Sequence, residues 1–121
     1  MILITGGSYQ GKLDYARSQF HLEDGDICVG GVDLTKKCLA YIDRWALEAV
    51  KNGMEPADLF RENADKLSEK IIVTTDISSG VVPMDPALRA WREACGRMNS
   101  YLASQADEVW RLFCGLPQRL K

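Results

Sequence analysis

The sequence predicts an α/β fold, a mostly parallel sheet with helices on both faces, from three observations. Short apolar runs alternate with longer amphipathic stretches along the whole chain. The run Ile71-Ile72-Val73-Thr74-Thr75 is β-branched throughout, as a strand buried on both sides requires. And Ile2-Leu3-Ile4 leads directly into Gly6-Gly7-Ser8-Tyr9-Gln10-Gly11-Lys12, with helix formers after it, so a strand, a glycine-rich turn and a helix follow one another at the start.

The elements follow in order. The first helix is expected from about Gly11 to Phe20, with Leu13, Ala16, Arg17 and Phe20 on one face. Glu23-Asp24-Gly25-Asp26 makes a polar turn, and Ile27-Cys28-Val29 a short strand closed by Gly30-Gly31. From Leu34 the pattern reads as helix, with Leu34, Cys38, Tyr41, Ile42, Trp45 and Ala49 in register and Asn52-Gly53 as the stop. Pro56 suits the first position of a third helix reaching Ser68, with Phe60 and Leu67 inward. The strand over 71–75 runs into a loop, Asp76-Ile77-Ser78-Ser79-Gly80. Asp85-Pro86 is a cap followed by a first-turn proline and opens the longest helix, to about Gln105, whose stripe is Leu88, Trp91, Cys95, Met98 and Leu102. Val109–Cys114 is a final strand, which Gly115-Leu116-Pro117 turns into a short return ending at Lys121.

The expected order β-α-β-α-α-β-α-β brings the glycine-rich loop, the Gly30-Gly31 turn and the Asp76–Gly80 loop to the carboxyl edge of the sheet, where such folds bind ligands. Gly6 to Lys12 is the G-x-x-x-x-G-K pattern of a phosphate-binding loop in its required place between strand and helix. Glycines let amide groups turn inward around phosphate oxygens, and the helix start adds partial positive charge. Gly6, Gly7, Ser8, Tyr9, Gln10, Gly11, Lys12 and Leu13 therefore form the candidate nucleotide site, with Lys12 as the mobile cation for the outer phosphates. The position after Lys12, which ordinarily offers a hydroxyl to Mg²⁺, is Leu13. A carboxylate must then hold the metal, and a hydrated Mg²⁺ tolerates so sparse a protein shell. Asp76, at the end of a strand, is the candidate for this metal-binding and catalytic role, or else caps a turn. Asp33 is a second candidate acid, which reads first as a helix N-cap before Leu34.

Composition narrows the partners. Net charge is −2, with sequence pI near 5.4, which opposes nucleic-acid binding through bulk positive charge. Basic residues gather modestly in the last third, where Arg89, Arg92 and Arg97 lie on the long helix. Cys28, Cys38, Cys95 and Cys114 form no C-x-x-C pair and His21 is the single histidine, so a zinc site is not expected and the thiols read as reduced. No apolar stretch approaches the ~20 residues of a membrane span. A cytoplasmic, single-domain protein over residues 1–121 is the expectation.

Two segments together resemble a known family: MILITGGSYQGKLDYA at the start, and the block from Ile71 to Lys121. In that block the strand and its acid precede Gly80-Val81-Val82-Pro83, then Gly96-Arg97 with Asn99, Ala106-Asp107-Glu108-Val109 and a terminal glycine hairpin. These features resemble the adenosylcobinamide kinase / adenosylcobinamide-phosphate guanylyltransferase family, over a little more than half the chain. The resemblance implies a P-loop NTPase-like three-layer sandwich, with a mostly parallel sheet and a C-terminal β-hairpin. It implies a homo-oligomer that takes ATP or GTP with Mg²⁺ and phosphorylates a corrinoid alcohol, with Gly6, Gly7, Gly11 and Lys12 on phosphates and Asp76 as the strand-end acid. The family also transfers GMP through a guanylylated histidine. Its usual residues differ where Leu13, Thr75-Asp76 and Ser78 stand here, and the shortened middle region has no counterpart of the histidine-bearing segment. A catalytically impaired nucleotide-binding or scaffold protein derived from that family is the alternative reading.

His21 follows the first helix, and about ten residues at ~1.5 Å each put it roughly 15 Å from the loop that opens that helix. That is too far for in-line attack on an α-phosphate. Incubation with labelled GTP is expected to leave no acid-labile GMP on the protein. An adduct that disappears in His21→Ala would overturn this expectation.

Overall fold

The structure, a computed structural model, describes residues 1–77 and 84–121; the Gly80-Val81-Val82-Pro83 motif and the end of the Asp76–Gly80 loop lie outside the described residues. Six strands form one sheet: β1 (Ile2–Gly6), β2 (Ile27–Val29), β3 (Cys38–Ala40), β4 (Ile71–Val73), β5 (Glu108–Phe113) and β6 (Leu116–Arg119). Their spatial order is β2-β3-β4-β1-β5-β6. All neighbours are parallel except β5 and β6, which form an antiparallel hairpin. The α/β class, the mostly parallel sheet and the terminal hairpin are thus as the sequence predicts.

Strand residues alternate between two cores because successive side chains point to opposite faces. Leu3, Leu39, Ile72 and Val109 pack on one side with Phe60, Met98 and Leu102. Those three come from α3 (Pro56–Glu62) and α4 (Pro86–Gln105), and α2 (Ile42–Lys51) adds Ile42 and Ala46. Ile4, Cys38, Ala40, Val73 and Leu112 face the other way, against Ala16 of α1 (Lys12–Phe20) and Leu22. Three layers result, with α1 covering one face and α2, α3 and α4 the other. The α4 stripe is as expected, and Asp85 caps the helix by accepting from the Ala87 and Leu88 amides. Asn99 on α4 accepts a hydrogen bond from the buried Thr74 hydroxyl at 2.9 Å, which ties the helix to the end of β4.

One expected element is wrong. Residues from Leu34 do not begin a helix: a turn occupies 34–37, the strand β3 takes Cys38–Ala40, and α2 starts only at Ile42. The helical spacing of Cys38, Tyr41, Ile42 and Trp45 is real, but Cys38, Leu39 and Ala40 are all buried. A strand between β2 and β4 must be covered on both faces, and three consecutive small or apolar residues meet that need. Asp33 accordingly caps a turn and not a helix: its Oδ1 accepts from the Thr35 amide at 3.0 Å and the Thr35 hydroxyl at 2.6 Å. The third helix is also shorter than expected, ending at Glu62 before a 3₁₀ turn over Ala64–Lys66, though Phe60 and Leu67 are buried.

At the carboxyl edge, β1 passes into the glycine loop through Gly6, whose φ is +148°. A Cβ there would stand 2.5 Å from the Leu112 carbonyl oxygen of β5. No side chain fits between these backbones. Gly6→Ala should destabilise the fold by ~2–3 kcal/mol through overpacking, read as a lowered urea midpoint. Gly25→Ala, where nothing lies within 4 Å of the added carbon, should leave the midpoint unchanged or raise it slightly.

Candidate functional site

The loop after β1 is built as a cradle. Gly11 has φ +78° and precedes the first residue of α1, and Tyr9 is held at φ +59°. Among the described residues, no backbone N–H from Ser8 to Lys12 donates to another protein group. Four of those residues directly precede the helix and Lys12 is its first, so unpaired donors and the positive end of the helix dipole coincide. The loop is fastened from behind by the β5–β6 turn. The Cys114 amide donates to the Gln10 side-chain oxygen, and the Gly115 amide to the Gln10 carbonyl at 3.2 Å.

Lys12 is 2 % exposed, which is rare for a lysine. Its Nζ donates to the Gly7 carbonyl at 2.6 Å and lies 5.8 Å from the centre of the Tyr41 ring. Burial lowers its pKa below the ordinary 10.5; the Asp43 carboxylate pulls it back up and the Arg44 guanidinium pushes it further down. A cleft of ≈ 550 Å³ opens beside this ammonium, bordered by Tyr9, Gln10, Tyr41, Asp43, Arg44 and Trp91 among others.

The turn from β3 into α2 supplies the opposite wall. Tyr41 is left-handed, φ 57°, although it carries a large side chain, a conformation that costs roughly 1–3 kcal/mol. It is pinned there because its amide donates to the Val73 carbonyl of β4 at 2.8 Å while its own carbonyl accepts from the Arg44 amide at 3.0 Å. Asp43, on the first turn of α2, is 5 % exposed. Its Oδ1 accepts from the Thr75 amide at 3.0 Å, and its carbonyl accepts from Trp91 Nε1 at 2.8 Å, so β4 and α4 both fix it.

Asp76 stands elsewhere. Its amide donates to the Gly6 carbonyl at 2.8 Å, and it borders a cleft of ≈ 240 Å³ with Gly6, Gly7, Gln10 and Arg111, on the β5 side of the loop. Thus the loop residues Ser8 to Lys12 gather at the Lys12 cleft, while Asp76 does not line it. Arg97 is also accounted for: it forms a two-point ion pair with Glu55 at the start of α3, at 2.9 and 3.1 Å. His21 caps the far end of α1 and is exposed. The buried thiols of Cys38 and Cys95 are pushed up to about 11 and about 12 by desolvation, so neither is a thiolate near neutrality.

Sequence reading missed Tyr41, Asp43 and Arg44, because all three fall inside the stretch assigned to one long helix. The available signal was the buried triplet Cys38-Leu39-Ala40, after which an acid two residues into a helix sits at a strand's carboxyl end. Among the described residues no three His, Cys, Asp or Glu side chains gather as a metal cluster. Leu13 is half-buried and offers no oxygen. Asp43 therefore supplies the one carboxylate of the Lys12 cleft that is buried, and this donor set fits a Mg²⁺ that keeps several waters and takes its other ligands from phosphates.

Known proteins match the chain in parts. The sequence model of the family described as Cobinamide kinase / cobinamide phosphate guanyltransferase matches residues 33–120. The match therefore contains the Tyr41–Arg44 wall and the C-terminal block, and does not extend over the glycine loop. The bifunctional adenosylcobalamin biosynthesis protein CobU of Salmonella typhimurium is 37% identical over 51 residues, 42% of this chain and 28% of that protein. The protein of the same name from Escherichia coli is 28% identical over 81 residues, 65% of this chain and 45% of that protein. The chain thus spans less than half the length of these two curated relatives. Among the described residues no helix is long and apolar enough to cross a membrane.

The lowered pKa of Lys12 has a measurable consequence. Only the ammonium attracts an anion, so affinity for inorganic phosphate or a nucleotide should fall as pH rises, starting below pH 10.5, where an ordinary lysine still holds its proton. Anion binding favours the charged form, so the complex should take up a proton at alkaline pH. Calorimetry in buffers of differing ionisation enthalpy reads that uptake, and Lys12→Met should remove it.

Proposed function

Because the chain belongs to the cobinamide kinase / cobinamide phosphate guanyltransferase family, we propose that it is a nucleotide-dependent kinase of cobalamin assembly, folded as one domain. It transfers the terminal phosphoryl group of ATP or GTP to the hydroxyl of a cobinamide-type corrinoid. The observation that carries this reading is the buried Lys12 ammonium facing an open cleft beside the unpaired Ser8–Lys12 amides.

In the transfer, the bond between the terminal phosphorus and its bridging oxygen breaks as the acceptor oxygen bonds to phosphorus. The loop amides hold the inner phosphates, and Lys12 neutralises charge on the outer ones. Asp43 is the acid we assign to the reacting end, because it is buried at the cleft wall and interacts electrostatically with Lys12. It orients the acceptor hydroxyl and accepts its proton. A hydrated Mg²⁺ held beside Asp43 through its water shell would supply further neutralisation of phosphate charge. Asp76, the strand-end acid, borders the neighbouring cleft with Gly6 and Gly7, and its amide donates to the Gly6 carbonyl. Exposed Phe113 and Leu116 on the hairpin, with Leu120 just after it, support an assembly of several copies.

Leu13 favours a second reading, a protein that binds the nucleotide without turning it over. Nucleotide turnover with and without adenosylcobinamide separates the two. The kinase reading expects turnover that depends on the acceptor, lost about a hundredfold in Lys12→Ala and raised in Leu13→Thr. Binding without acceptor-dependent turnover would replace it by the second reading. Unchanged nucleotide affinity in Lys12→Ala would overturn both.

A further inference from the structure

Arg44 is placed at the cleft by an aromatic ring and not by an acid. It is exposed on the first turn of α2, with its Cζ 4.4 Å from the centre of the Tyr41 ring, the same ring that Lys12 Nζ approaches at 5.8 Å. Among the described residues its guanidinium forms no hydrogen bond and no ion pair. Glu48, one turn further along α2, also lines this cleft, exposed, and its carboxylate lies 3.8 Å from Lys51. A cation in the first turn of a helix opposes the helix dipole, so the position does not serve helix stability. The stacking on Tyr41 holds the planar fork at the rim while leaving its N–H edges unused. Two cations, Lys12 and Arg44, thus share one ring at one cleft, and Arg44 raises the cost of charging Lys12. An anion between them removes that cost.

We propose that Arg44 is the second phosphate-binding cation of this cleft, donating two hydrogen bonds to the outermost phosphate of a nucleoside triphosphate whose inner phosphates rest on the loop amides. This rests on the reading of Gly6–Lys12 as a phosphate-binding loop. It also gives the cleft a charge that Leu13 does not help a metal to deliver. Planar, two-point recognition of a terminal phosphate is what guanidinium geometry suits. The selectivity that follows is for nucleotides long enough to reach Arg44 from the loop, so triphosphates are favoured over monophosphates.

Calorimetric titration of the full chain with ATP or GTP, and with AMP or GMP, tests this in wild type, Arg44→Gln, Arg44→Lys and Lys12→Ala. Arg44→Gln should weaken triphosphate binding about tenfold and monophosphate binding less than about twofold. Arg44→Lys, which keeps charge but loses the fork, should fall between. Equal losses for both nucleotides, or no loss for the triphosphate, would overturn the assignment of Arg44. If that happens while Lys12→Ala still abolishes binding, the loop reading survives alone. A wild-type chain that binds no triphosphate, or a Lys12→Ala that binds as wild type does, sinks both. Arg44 is exposed, and thermal unfolding of each variant confirms that the comparison is made on folded protein.

Discussion

A buried ammonium has to be paid for, and the arrangement around Lys12 is the way this fold does so. Removing a charge from water costs several kcal/mol even after relaxation. Lys12 meets that cost with the Gly7 carbonyl, the face of Tyr41 and the nearby Asp43 carboxylate. Each of these partners is fixed by a different strand. Gly7 follows β1, Tyr41 follows β3, and Asp43 is held by the Thr75 amide just past β4. Because β3, β4 and β1 are adjacent and parallel, their carboxyl ends arrive at one edge together. The parallel sheet is thus what allows a lysine to be buried at a cleft, and no antiparallel arrangement of the same segments would gather these three ends.

Replacement of the usual hydroxyl by Leu13 shifts where charge must come from. In phosphate-binding loops the hydroxyl after the lysine and a carboxylate share the metal, which bridges the outer phosphates. Here one carboxylate, Asp43, is buried in the cleft, and the cleft holds a second cation, Arg44. A guanidinium needs no preformed octahedral shell and no water exchange, so it is a physically sufficient substitute for part of the metal's electrostatic work. It does not substitute for the metal's ability to hold two phosphates and a nucleophile in fixed relation. On the proposed reading, binding is therefore better protected against the loss of the hydroxyl than turnover is.

The glycine loop and its helix were legible in the sequence because glycine, lysine and strand-to-helix context constrain one another locally. So were the long α4 stripe, the cap at Asp85 and the final hairpin. The wall opposite was not legible, for a specific reason. Cys38, Tyr41, Ile42 and Trp45 have helical spacing, yet the first belongs to a strand and Tyr41 sits between strand and helix in a left-handed conformation. A three-residue strand carries too few side chains to show a period of two. What makes β3 a strand is the pair of neighbours on its flanks, β2 and β4, and a tertiary partner leaves no mark on periodicity. Just past β4, the Thr75 amide donates to Asp43 and the Asp76 amide to the Gly6 carbonyl, so two successive backbone groups tie the α2 wall and the glycine loop to the same strand end.

The hairpin completes the loop's support from the side away from the cleft. Gly6 lies against the Leu112 carbonyl with no room for a Cβ, and four residues later Gln10 receives two amide hydrogen bonds from the Cys114-Gly115 turn. Cys114 and Gly115 both have positive φ, so the turn is a tight one whose amides are free to point at the loop. The loop is therefore clamped at both ends, by α1 and β1 through the chain itself and by β5 and β6 through backbone contacts. Clamping matters for an anion site because amides that are already oriented need not be reorganised when charge arrives. It also means that the β5–β6 hairpin, whose outer residues Phe113 and Leu116 are exposed and apolar, is mechanically continuous with the loop. Whatever packs on that hairpin stiffens Gln10, and through Gln10 the row of amides that ends at Lys12.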